Sequence, residues 1–183
     1  MTARGRPSSV EAIFAAARAL LDEGAPISLE SVAERTGLTK PGLMYHFPTK
    51  SALMDGLVDH VARSAERQLR QRLDIPIEEA TARQRLRAYV RWAIEGPHQR
   101  SDLVMFGDPR LVEQMTHRWT EHFSPWVHVP ADMPPAERAR LHAARLLADG
   151  AWLARASATF PLDDDDQPDV LALALDLVGT EDS

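Results

Sequence analysis

Apolar side chains recur every three to four residues along most of this chain, a period that helices satisfy and strands do not. No stretch alternates apolar and polar residues in the way a half-buried strand requires. The expectation is an all-α protein of about nine helices. Val10, Ile13, Phe14, Ala17 and Leu20 mark one face of a first helix over about 9–23. Ser8 reads as its N-cap, Glu11 completes a capping box, and Gly24 supplies the stop.

Three short signals follow closely. Ser28 opens a second helix that ends near Arg35, with Ile27 and Val32 spaced as a hydrophobic staple. Thr36-Gly37-Leu38 makes a tight turn, and Thr39 caps a third helix from Lys40 to about His46. Pro41 is tolerated there because first-turn amides lack intrahelical partners. Pro48 closes this unit and Thr49 caps a fourth helix, whose stripe Leu53, Leu57, Val61, Ala65, Leu69 runs to about Leu73. At 1.5 Å per residue it would span roughly 35 Å, enough to bridge a head to a body. The chain therefore divides into an N-terminal three-helix head, residues 1–50, and a C-terminal helical bundle, residues 51–183.

In the body, Leu86, Tyr89, Val90, Ala93 and Ile94 predict a fifth helix stopped by Gly96-Pro97. A short sixth runs over about 98–106, and Leu111, Met115, Trp119 and Phe123 mark a seventh. Residues 124–135 are rich in proline and read as a loop. The eighth helix, about 136–159, is crowded with alanine, and the ninth carries Leu171, Ala174, Leu175 and Val178.

The net charge of -6 argues against a nucleic-acid partner until its distribution is followed. Residues 160–183 hold 8 acids and no base, which leaves 19 acids against 21 bases in the remainder. Only two lysines occur, Lys40 and Lys50, and both fall within one short segment. A hydrophobic fraction of 44% is that of a globular chain. The absence of cysteine excludes disulfides, thiolate chemistry and Cys-ligated zinc. No apolar run reaches the roughly 18 residues of a membrane span. The start, Met1-Thr2-Ala3-Arg4-Gly5-Arg6-Pro7, lacks a signal peptide's apolar stretch, so a soluble cytoplasmic protein is expected.

Two short helices joined by a glycine-bearing three-residue turn form a helix-turn-helix, whose second helix enters the major groove of DNA. Thr39, Lys40, Tyr45 and His46 offer donors to phosphates or bases, and Lys50 can neutralise a phosphate. Pro41 and Gly42 present little bulk, so backbone and duplex can approach closely. Arg4 and Arg6 suit a flexible arm in the adjacent minor groove.

Ile13-Phe14-Ala15-Ala16-Ala17, Gly24, Ser28-Leu29-Glu30-Ser31-Val32-Ala33, Thr36-Gly37-Leu38-Thr39-Lys40 and Tyr45-His46-Phe47-Pro48-Thr49-Lys50 with Leu53 together resemble the N-terminal signature of TetR-type regulators. The likeness covers about residues 10–57. At Pro41, Gly42 and Met44 the chain departs from the family's usual residues. The resemblance implies an all-α homodimer, a palindromic double-stranded operator, and a ligand that shifts DNA affinity. It also implies that Ser28 contacts phosphate and that Thr39, Lys40, Tyr45, His46 and Lys50 touch DNA.

The body's Tyr89, Trp92, Met105, Phe106, Met115, Trp119 and Trp152 are candidates to line a pocket for a small apolar or aromatic effector. His117, His122 and Asp102 or Arg100 would add polar specificity. Dimerisation is expected through the helices at about 136–159 and 167–178, where small residues permit close approach. No Ser/His/Asp elbow, phosphate-cradling glycine loop or paired catalytic carboxylates occur, so a regulator without cofactor is favoured over an enzyme. His117, His122 and His128 do not share one helical face, so no metal site is expected. The rival reading is a helical ligand-binding or partner-binding module that does not bind DNA.

Overall fold

The structure, a computed structural model, describes residues 9–179, so the expectations placed on Arg4, Arg6 and Ser8 lie outside the described residues. Among these residues every regular element is a helix. In chain order they are α1 (Ser9–Asp22), α2 (Leu29–Thr36), α3 (Lys40–His46), α4 (Lys50–Arg70), α5 (Ala82–Glu95), a 3-10 helix (Arg100–Phe106), α6 (Val112–Val127), α7 (Pro135–Ser157) and α8 (Gln167–Val178).

Local chemistry sets the head. Ser28 caps α2, its hydroxyl accepting from the Ser31 N–H while the Ser31 hydroxyl accepts from the Ser28 N–H, both at 2.9 Å. The reciprocal partner is thus a serine rather than the usual glutamate. Gly37 ends α2 at φ +71, a left-handed conformation that costs a side-chain-bearing residue free energy. Thr39 then accepts from the Gly42 N–H at 3.2 Å and starts α3. Ile13 and Ala17 of α1, Val32 of α2, Leu43 of α3 and Leu53 of α4 are all fully buried. α4 passes close to two rings. A Cβ on Gly56 would lie 2.9 Å from Phe47 and 3.1 Å from Phe14, so glycine is what that approach requires.

α4 leaves the head without a break and supplies Val58, Val61, Ala62, Ala65 and Leu69 to the core of the body. Its opposite polar edge meets α6 in a ladder. Gln114 donates to Asp55 at 2.7 Å, Arg118 to Asp59 at 2.9 Å, and His122 lies 3.2 Å from Glu66 and 3.3 Å from Asp59. α5, α7 and α8 pack together behind this pair. Tyr89 of α5 donates to Asp149 of α7 at 2.6 Å, and burial, with that carboxylate, raises the phenol well above its ordinary value.

Three boundaries differ from the sequence reading. α6 runs on to Val127 through Pro125, where a loop was expected. A proline in a last turn removes one amide bond, but Trp126 is 1% exposed and its burial holds that turn in place. The sixth element is a 3-10 helix with a kink at Leu103, and it begins at Arg100 rather than near 98. α4 ends at Arg70, not Leu73, and only residues 71–72 continue as a turn.

Candidate nucleic-acid interface and effector cavity

α3 is short, and a single buried residue, Leu43, anchors it. The remaining side chains follow from that anchor. Lys40, Pro41, Met44 and Tyr45 are exposed, Tyr45 by 87%. Phe47 turns inward, with its ring centroid 5.4 Å from that of Phe14. His46 is half-buried, and its Nε2 lies 3.2 Å from the Ser9 hydroxyl, which ties the end of α3 to α1. Thr39 and Thr49 are exposed at the ends of the segment, although both hydroxyls are engaged as caps.

Neither lysine is solitary. Lys40 pairs with Glu30 of α2, and that hydrogen bond holds the Glu30 carboxyl below the usual carboxylate range. Lys50 lies 2.5 Å from Asp108, a residue of the body. The Lys50 ammonium, then the Arg110 N–H, lower the Asp108 carboxyl likewise. Ser28 is half-buried and its hydroxyl serves the capping box, so any phosphate bond would share that oxygen. These partners stand at sequence separations of 10 and 58 residues, and nothing in the local sequence marks them.

The proposed pocket residues do not form one wall. Trp92 and Trp119 line a cavity of about 240 Å³ together with Arg18, Gln68, His98 and Asp102. Tyr89, Met105 and Met115 are packed into the core, and Trp152 stacks on Trp119 at 5.7 Å with planes 10° apart. Phe106 is 56% exposed and lines an outer cleft beside Arg100 instead. Of the polar candidates only Asp102 reaches the cavity. His117 is a surface partner of Glu121, and His122 belongs to the α4–α6 ladder. Arg18 and His98 escaped the sequence reading because they come from α1 and from an interhelical link, far from the aromatic stripe.

α7 and α8 leave an apolar face uncovered. His142, Leu146, Gly150, Leu153 and Ser157 follow one stripe of α7 and are all exposed, and Leu173 of α8 is 57% exposed. No described residue stands within 4 Å of where a Cβ on Gly150 would be. Among the described residues no group of three or more His, Cys, Asp or Glu could hold a metal ion, and no helix is long and apolar enough to cross a membrane.

Residues 13–57 match the family model for bacterial regulatory proteins of the tetR family. No curated protein sequence matches the chain. The fold is similar to several solved structures. One from Rhodococcus sp., assigned to the TetR family of transcriptional regulators, is 17% identical with a TM-score of 0.69, covering 94% of this chain and 99% of that one. A TetR-family member from Streptomyces coelicolor A3 is 18% identical with a TM-score of 0.62, covering 92% and 98%. A bacterial regulatory protein of the tetR family from Rhodococcus RHA1 is 21% identical with a TM-score of 0.55, covering 97% and 100%.

Proposed function

We infer that this chain, a member of the TetR family in its head and its fold, is a DNA-binding transcriptional repressor released from a palindromic operator by a small-molecule ligand. The observation that carries the reading is the disposition of α3. One face is anchored by Leu43, and the other presents Lys40, Pro41, Met44 and Tyr45 to solvent. An α-helix offered in this way fits the major groove of B-form DNA. In this reading residues 1–50 bind DNA and residues 51–183 sense the ligand and dimerise. Two heads must stand about one helical turn of DNA apart, and the uncovered face of α7 and α8 supplies the two-fold contact. α4 carries the signal, because it is shared by the head core and the body core. A ligand acts here only to the extent that it prefers one head separation over the other.

The test is selection of duplexes from a random pool by the purified full chain, followed by sequencing. Enrichment of a palindrome whose half-sites are centred about one DNA turn apart is the expected result. Recovery of no preferred duplex at low salt would set the reading aside and favour a module that binds only ligands or proteins.

A further inference from the structure

Arg18 stands on α1 of the head, yet its guanidinium reaches the body. Nε donates to the Ser101 hydroxyl at 3.2 Å and Nη2 to Asp102 Oδ1 at 3.0 Å. The same seam carries the Ser101 N–H donating to Asp22 of α1 at 2.7 Å. The other oxygen of Asp102 also has close neighbours. The Gln99 N–H lies 3.1 Å away and His98 Nδ1 3.3 Å away. Loss of Arg18 would leave Asp102 its bond from the Gln99 N–H, with the His98 ring beside it, so the Arg18 contact is the exchangeable one.

Arg18 and Asp102 face the cavity of about 240 Å³, whose aromatic side is Trp92 and Trp119. Trp92 is 2% exposed and its indole N–H has no hydrogen-bond partner among the described residues, an unusual state for a buried donor. Trp119 is already half of a stack, parallel to Trp152 and, at 4.2 Å, to Phe123. Size limits the occupant. A dry cavity of about 150 Å³ takes benzene, so this one suits a single substituted ring. Charge limits it further. Asp102 is the one acid among the described lining residues and already accepts from Arg18 and from the Gln99 N–H, whereas Arg18 Nη1 bonds to no described residue.

We propose that the cavity takes a small aromatic carboxylate, with its ring against Trp92 and Trp119 and its carboxylate on Arg18 in exchange for Asp102. The effect on DNA rests on the regulator reading above, whereas the binding itself does not. Taking Arg18 from Asp102 loosens α1 from the 3-10 helix, and the head is freed to shift. Ligand and operator then oppose each other by the same factor in both directions.

Calorimetric titration of the full chain without DNA tests the assignment, using benzoate and phenylacetate, with benzyl alcohol and benzylamine as neutral and cationic controls. At least one acid should bind about tenfold more tightly than benzyl alcohol, the effect of one charge-assisted hydrogen-bonded pair. Arg18→Gln should erase that preference, weakening acid binding far more than benzyl alcohol binding. Asp102→Asn should strengthen acid binding, because Arg18 is released, and this opposite sign separates the proposal from general loss of structure. The controls binding as well as the acids, no acid binding at millimolar concentration, or an unchanged preference in Arg18→Gln would overturn it. Operator release, read in parallel by fluorescence anisotropy, judges the regulator reading separately: acid binding with no release supports the ligand assignment and removes the cavity's role as a switch.

Discussion

Lys50 Nζ lies 2.5 Å from Asp108 Oδ2, which joins the residue that opens α4 to the loop that follows the body's 3-10 helix. In the proposed reading a lysine offered to a phosphate is thus held by a carboxylate of the body, and the two acceptors compete for one cation. Asp108→Asn should release Lys50 to DNA. Operator affinity should rise, and the dependence of log K on log salt should steepen by about one counterion. Affinity measured over a salt series checks both, and an unchanged slope would show that Lys50 never reaches phosphate.

The α4–α6 ladder should stabilise the fold as a unit rather than as separate pairs. Arg118 is held by Asp59 first and by Asp55, and both interactions raise its affinity for its proton. Arg118→Met should lower the free energy of unfolding by about 1 kcal/mol, the range for a part-exposed ion-pair network. Asp59→Asn should cost less in that background than in the wild type. Urea denaturation of the four proteins gives the coupling, and strict additivity would mean that the ladder is only apposed charge.

The exposed stripe of α7 carries the proposed two-fold contact. Leu146→Glu with Leu153→Glu places two carboxylates on that face, where they would be buried against their own copies. Sedimentation should show a monomer with its helical content intact, and operator binding should weaken sharply. A dimer that survives both substitutions would move the interface elsewhere.

His60 supplies a pH dependence whose sign is fixed. Burial holds its imidazole below the ordinary value of 6.5, opposed by Glu11 and aided by Arg18, Arg67 and Arg63. The folded chain takes up this proton less readily than the unfolded one, so stability falls as pH drops below 6.5. His60→Phe keeps a ring against Phe14, now 4.8 Å from the imidazole, and removes the titration. Urea midpoints across a pH series spanning 6.5 should flatten in the variant. An unaltered slope would assign the acid sensitivity to other groups.

What could be read beforehand was local. Ser28, Gly37, Thr39 and Thr49 announce the head because caps and turns depend on neighbours within four residues. The stripe of α4 and the outward position of Tyr45 follow from period alone. Whatever depends on the packing of distant segments was hidden. Pro125 looked like a helix stop, and only the burial of Trp126 reveals why the turn persists. Phe106 shares the aromatic character of the other pocket candidates yet faces outward, at the end of a 3-10 helix that is kinked at Leu103. Arg18, 84 residues from Asp102, carries no sign in the sequence that it enters the cavity.

The central claim is that the outer face of α3 meets DNA, and substitution on that face tests it most directly. With the selected duplex in hand, Tyr45→Ala and Lys40→Ala are compared with wild type by equilibrium titration at fixed salt. Both residues are exposed, so neither change removes a buried side chain. Each should weaken binding by about 1–3 kcal/mol if it reads a base edge, with thermal stability nearly unchanged. Wild-type affinity in both variants would contradict the account, because it would leave α3 with no part in holding the duplex.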